Sequence, residues 1–263
     1  MSRKPKTLQK SLINILKEFS LDEVLAIEES FDEQYIALKK LYSCLKNPPV
    51  YLSLVVLNAI SSYQLNCSGE EYWSEFSEYF SIKSNILQGR EVNGEMLVSI
   101  FLNFLEKSKC NVRLLSQKRR RALKILPLIN SFIENIEVYT KNFKLLQVEL
   151  SKYLNASSSA KTVVFAVKMF NYGVRIAYGK RIPLPLDIDI PVDSRIRKLS
   201  SCLNVNEEHI KSFWRKVAYK TGIPPLHIDS LLWVGYRYAK EDTLTGNFKF
   251  DKLVLFLKNI LVD

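Results

Sequence analysis

Apolar residues recur at three- and four-residue intervals along most of the chain, the period of helices that bury one side. Residues 8–19 and 21–45 read as amphipathic helices, the second stopped by Asn47-Pro48-Pro49. Residues 50–65 are apolar nearly all round and predict a central buried helix. Residues 69–80 form a short acidic and aromatic helix carrying Trp73, and 95–105 and 114–138 predict two more. Residues 145–154 lead through a serine loop into a helix that starts at Lys161. The segment 179–191 is punctuated by proline and cannot be regular helix. Helices are then expected at 193–203, 207–221, 225–240 (opened by two prolines) and 251–261. With only 8 glycines and no internal repeat, the pattern predicts an all-α protein.

A chain of 263 residues can bury a core as one domain or as two tightly packed subdomains. Its formal charge of +11 favours an anionic partner, of which nucleic acid is the commonest. The cysteines Cys44, Cys67, Cys110 and Cys202 include no C-x-x-C pair, so no zinc site or iron–sulfur loop is expected. Four free thiols in a reducing cytosol are expected instead. Two histidines, His209 and His227, are too few for multi-histidine metal chemistry, and neither a metal nor a cofactor is expected. No secretory signal is expected after Ser2-Arg3-Lys4, and the apolar run 50–60 is too short to cross a bilayer. These features predict a soluble cytoplasmic protein.

Lys161 carries the first chemical hint. In Ser157-Ser158-Ser159-Ala160-Lys161-Thr162-Val163-Val164-Phe165-Ala166-Val167-Lys168 a serine cap precedes an apolar helix, which puts a cation in the first turn. There the helix dipole and the apolar neighbours Val164 and Phe165 disfavour the charged amine, and the neutral amine is the nucleophilic form. A lysine reaching to solvent is the plain alternative.

Downstream lies Ile188-Asp189-Ile190-Pro191-Val192-Asp193-Ser194-Arg195-Ile196-Arg197. Together the two segments resemble the helix-hairpin-helix DNA glycosylase superfamily, and most closely its archaeal 8-oxoguanine branch, the AGOG family. That resemblance implies a helix-hairpin-helix glycosylase fold of two packed helical subdomains with the active site in a cleft between them. It implies one glycosylase domain over 1–263, with a hairpin-like segment at 146–205. Lys161 becomes the nucleophile and Asp193, in the family's V-D-x-(H/R)-(I/V) pattern, its partner. The expected reaction is excision of 8-oxoguanine through a lysine imine, followed by strand nicking through β-elimination. The alternatives are the same mechanism on another damaged base, or a helical nucleic-acid-binding protein without catalysis. The hairpin turn departs from the superfamily in having no glycine, which puts its phosphate and cation contacts in doubt.

The resemblance extends to a base pocket. Phe165 and Trp233 are expected to sandwich the extruded purine, with Asp229 near its polar edge. Lys168 shares a helix face with Lys161 and Phe165. Gln34, Ser62 and Trp73 are expected to hydrogen-bond the base, with Gln64 competing with Gln34, and Pro191 lines the same pocket. Arg113, Lys118, Arg119, Arg120 and Arg121 read as a phosphate-facing patch, or as a solvated helix face. The implied partner is DNA containing 8-oxoguanine, bound by a monomer at the nucleoid of a prokaryotic cell.

Overall fold

The computed structural model describes residues 5–88 and 92–261, which leaves Ser2, Arg3 and Lys4 outside the described residues. Among those described, every regular element is helical. The chain divides into two compact units: Met1–Asp32 with Pro183–Asp263, here the terminal unit, and Glu33–Ile182, the central unit.

The central unit holds α3 (Glu33–Leu45), α4 (Pro48–Ser61), α5 (Gly69–Ile82), α6 (Ser84–Leu87), α7 (Gly94–Lys107), α8 (Leu115–Lys124), α9 (Leu126–Lys141), α10 (Phe143–Leu154) and α11 (Lys161–Tyr178). Helix α4 is its axis, buried from Val50 to Ser61 as its all-round apolar pattern demands. It begins where Asn47 caps the Val50 amide and two prolines occupy the first turn, positions that need no N–H donor. It crosses α11 at Gly173, where an added Cβ would lie 2.7 Å from Leu52 Cδ2, so glycine sets how near the two backbones come. Tyr72, Trp73, Phe76, Phe80, Phe101 and Phe104 make an aromatic cluster beside them.

The terminal unit holds α1 (Pro5–Lys17), α2 (Leu21–Phe31), α12 (Ser194–Cys202), a 3₁₀ turn (Glu207–His209), α13 (Ile210–Thr221), α14 (Pro225–Glu241) and α15 (Phe248–Leu261). Leu12, Leu16, Val24, Ile196, Leu199, Trp214, Leu231 and Leu257 belong to its common core. Buried His227 on α14 ties the proline-rich segment to α2. Its Nε2 accepts the Leu184 amide at 3.0 Å, so the ring proton sits on Nδ1 and faces Glu28 Oε1 at 2.8 Å.

Three expectations change. The helix expected over 21–45 is two, because Asp32 leaves helical geometry (φ −84°, ψ 109°), and the two halves belong to different units. The helix expected over 114–138 breaks at Ile125, since Pro127 has no amide for the preceding turn and its ring would clash there. Finally, Cys67 and Cys110 form a disulfide with Cα atoms 5.3 Å apart, which corrects the expectation of four free thiols; Cys44 and Cys202 are free. A sequence separation of 43 residues hid the pair.

Candidate active site

Helices α10 and α11 with the turn between them form the expected hairpin. The turn works without glycine because Asn155 takes the left-handed position (φ 48°, ψ 54°) that closes α10, and asparagine tolerates it better than most residues. The Ala156 amide then donates back to Ser151 O at 2.9 Å, and Gln147 Nε2 holds Ser158 O at 2.9 Å. The N-cap position of α11 is not a serine, contrary to expectation. Ala160 is the N-cap and its methyl group can accept no amide, while Ser157 and Ser159 hydroxyls lie 3.2 Å apart within the turn. Lys161 is the first residue of α11 and is exposed; Val164 is fully buried and Phe165 half-buried.

One and two turns further along α11 stand Phe165 and Lys168. Phe165 meets Trp73 edge to face, with centroids 6.4 Å apart. Lys168 is 2% exposed, with Nζ 5.8 Å from the Tyr172 ring centre. Trp73 is fully buried, yet its Nε1–H has no acceptor among the described residues. Gln34 is buried on α3, whereas Gln64 is exposed in the turn after α4 at φ 48°. Ser62 ends α4 with its hydroxyl donating to Asn58 O at 2.8 Å. Asn58 itself is fully buried with neither side-chain amide atom paired, and it was missed as a candidate. Its one sequence signal is a polar residue inside an otherwise apolar run. A buried donor or acceptor left unmade costs on the order of 1–3 kcal/mol, which makes Asn58 and Trp73 candidates for a polar contact beyond the described residues.

In the terminal unit Pro191 is buried and Asp193 is the N-cap of α12. Asp193 Oδ1 accepts the Ile196 amide at 2.8 Å, as a capping carboxylate should. Its Oδ2 lies 3.3 Å from Arg195 Nη2, and the same nitrogen reaches Asp229 Oδ1 at 2.8 Å. The guanidinium also sits over the Trp233 ring, 4.6 Å from its centre. Asp193, Asp229 and Trp233 thus share one arginine. Sequence reasoning saw Arg195 only as part of a motif, because nothing in spacing says that residues 34 positions apart in sequence, Arg195 and Asp229, form an ion pair.

The basic patch needs correction. Lys118 is completely buried, donating to Asn111 Oδ1 at 2.7 Å, and cannot face phosphate. Lys118 and Ala122, four residues apart, are the inward face of α8, and burial holds the lysine down to about pH 8 for half-protonation. Arg119 pairs with Glu106, and Arg121 lies over the Tyr63 ring at 4.5 Å. Arg113 and Arg120 remain exposed. Among the described residues no helix is long and apolar enough to cross a membrane.

Comparison with known proteins places the chain in a family. Residues 13–259 match the family described as AGOG, N-glycosylase/DNA lyase. An N-glycosylase/DNA lyase of Methanococcus maripaludis is 39% identical over 249 residues, covering 91% of this chain and 94% of the relative. That of Thermococcus kodakarensis is 41% identical over 224 residues, covering 84% and 81%. The crystal structure of an 8-oxoguanine DNA glycosylase from Pyrobaculum aerophilum, complexed with 8-oxoguanosine, superposes with a TM-score of 0.79 at 29% identity, covering 96% of each chain. A hairpin with lysine at its exit, an aspartate capping a later helix, and relatives matched over most of their length lead to one conclusion: this chain belongs to the AGOG family of N-glycosylase/DNA lyases.

Proposed function

We propose that this enzyme excises 8-oxoguanine from DNA and then nicks the strand, using Lys161 as nucleophile and Asp193 as its partner. The observation that carries the reading is the exposed amine at the first position of α11, directly after the hairpin turn, in a member of a glycosylase/lyase family. A base inside a stacked duplex is unreachable, so the lesion must first be extruded. The Lys161 amine attacks C1′, and the C1′–N9 bond breaks with its electron pair leaving on the base, which takes up a proton. Opening of the sugar gives an imine between Lys161 and C1′. Loss of a C2′ proton then expels the 3′ phosphate, and hydrolysis of the imine returns the amine.

Asp193 serves the amine as proton acceptor or orienting group and faces the cationic sugar of the transition state. Arg195 and the Ile196 amide hold that carboxylate in one orientation. Phe165 and the Trp233 face not covered by Arg195 supply stacking surface for the purine. Trp73 Nε1–H, Gln34, Ser62, Lys168 and Asp229 supply polar groups for its edge. In this reading one copy serves one lesion, in the DNA of a prokaryotic cytoplasm.

Incubation with an 8-oxoguanine duplex and borohydride should give a covalent protein–DNA adduct, since reduction fixes an imine. Lys161→Gln should abolish the adduct, base release and nicking, while DNA affinity stays within a few fold. Asp193→Asn should slow base release severely without loss of fold. An adduct formed by the Lys161→Gln protein would refute the assignment of the nucleophile. Nicking of abasic DNA without release of 8-oxoguanine would move the base specificity to another lesion.

A further inference from the structure

The histidine on α14 serves no step of the mechanism above, yet His227 and its partner Glu28 are both completely buried. Taking two ionisable side chains out of water is a poor way to stabilise a fold, since apolar side chains of the same volume often do as well or better. What such a pair supplies is direction. With Nδ1–H given to Glu28 Oε1 at 2.8 Å, the ring keeps Nε2 as a fixed acceptor, and that acceptor takes the Leu184 amide at 3.0 Å. Leu184 lies near the start of the segment that ends at Asp193. Pro183, Pro185 and Pro191 deny this segment amides, so no regular ladder of hydrogen bonds can hold its course. Side chains hold it instead. Leu184, Ile188 and Ile190 are buried, and at the surface Asp189 Oδ1 accepts from Arg215 Nη2 at 2.7 Å. Apolar burial has no direction, and a half-exposed ion pair is weak. The His227–Leu184 bond adds a buried, directional tie.

At its far end the same segment meets α14 again. Arg195, two residues beyond Asp193, reaches Asp229, two residues beyond His227, at 2.8 Å, and its same nitrogen lies 3.3 Å from Asp193 Oδ2. The segment is therefore tied to α14 at both ends, by His227 at Leu184 and by Asp229 through Arg195. We propose that His227, oriented by Glu28, is a positioning residue for Asp193: it fixes the course of residues 184–193 along α14, so that the Asp193 carboxylate is presented in one place. The inference rests on the reading of Asp193 as the partner of Lys161 and goes beyond it by naming the buried pair that sets where Asp193 stands. A displacement of the segment by an ångström or so at Leu184 moves the carboxylate relative to Asp229 and Trp233, which α14 carries directly.

Two substitutions separate the two hydrogen bonds of the ring. Glutamine places an oxygen near the position of Nε2, so His227→Gln keeps the acceptor for Leu184 and gives up the bond to Glu28. Asparagine places a nitrogen near the position of Nδ1, so His227→Asn keeps a donor for Glu28 and leaves the Leu184 amide unpaired. Single-turnover release of 8-oxoguanine by saturating protein should fall by roughly tenfold or more in His227→Asn and by less than about threefold in His227→Gln, the larger loss being the scale at which a displaced catalytic group shows. DNA affinity should stay within about twofold in both, because no phosphate contact is removed. In an Asp193→Asn background His227→Asn should cost nothing further, since it acts through Asp193. Hydrogen exchange in a peptide covering residues 184–193 should quicken in His227→Asn and not in His227→Gln, a readout that survives even if the asparagine protein is too unstable to assay. Equal losses in the two variants, or a His227→Asn loss that persists in full beside Asp193→Asn, would overturn the proposal and make the pair structural. Undiminished base release by Asp193→Asn alone would refute the reading of Asp193, and the proposal with it, whatever His227 does.

Discussion

Arg195 and Lys118 show what a cation does when its surroundings are fixed. Arg195 spans two carboxylates and rests on Trp233, so the charges nearest Asp193 are settled before any substrate arrives. If Trp233 stacks on an extruded purine, Trp233→Ala should weaken processing of 8-oxoguanine by roughly ten- to a hundred-fold, the equivalent of one stacking partner. Cleavage of a pre-formed abasic site should be spared far more, and the ratio of the two assays reports the pocket. Equal losses, or a melt shifted far downward, would make Trp233 core. Among the described residues no carboxylate pairs with the Lys118 amine, which meets an amide oxygen and lies 5.3 Å from the centre of the Tyr63 ring. Its folded-state pKa of about 8 lies below the 10.5 of a solvated lysine, so between these pH values the unfolded chain binds the extra proton. Stability contributed by this site therefore rises with pH across that window, by at most about 1.4 kcal/mol per pH unit. Lys118→Met should remove this slope in melts run from pH 7 to 10, measured as the difference from the unaltered protein.

At the scale of elements, two connections decide where the candidate residues stand. The hairpin turn closes through Asn155 rather than glycine, and it leaves α11 capped by Ala160 with Lys161 next in line. The other connection runs from α4 to α5, and the Cys67–Cys110 disulfide fixes it to the segment before α8. Closing a loop of 43 residues removes unfolded-state entropy worth up to about 4 kcal/mol in the chain-entropy account. Thermal melts with and without reductant should therefore differ by several degrees or more, and Cys67→Ser should melt with the reduced protein. Coincident melts of all three would mean that the bond contributes nothing. Because Ser62 and Trp73 flank Cys67, reduction should also slow base release more than abasic-site cleavage.

For the whole molecule, the +11 charge sets how DNA is held. Neutralising phosphates releases counterions, so affinity should fall linearly in logarithm with the logarithm of salt concentration. A protein making several phosphate contacts should lose on the order of a hundredfold or more between 50 and 200 mM salt. Arg113→Gln or Arg120→Gln should make that dependence shallower, while Lys118→Met should leave it unchanged because its amine is buried. A salt-independent affinity would exclude backbone contacts as the main source of binding.

Much of this was written in the sequence by itself. Helical periodicity fixed the class and most elements, because burying one face of a helix leaves a local, repeating signature. Lys161 and Asp193 could be placed at helix starts from residue type and neighbours in sequence, while the roles expected of them came from the family resemblance. Tertiary structure alone decided what depends on distant partners. Lys118 looked like its arginine neighbours until α8 turned it inward onto Asn111. Cys67 found Cys110, Arg195 found Asp229, and His227 found Glu28, none of them pairs that spacing can announce. Periodicity reports which side of a helix is covered, but not which residue of another helix covers it. That choice is made by packing the whole chain, and the polar networks around the candidate active-site residues are made there.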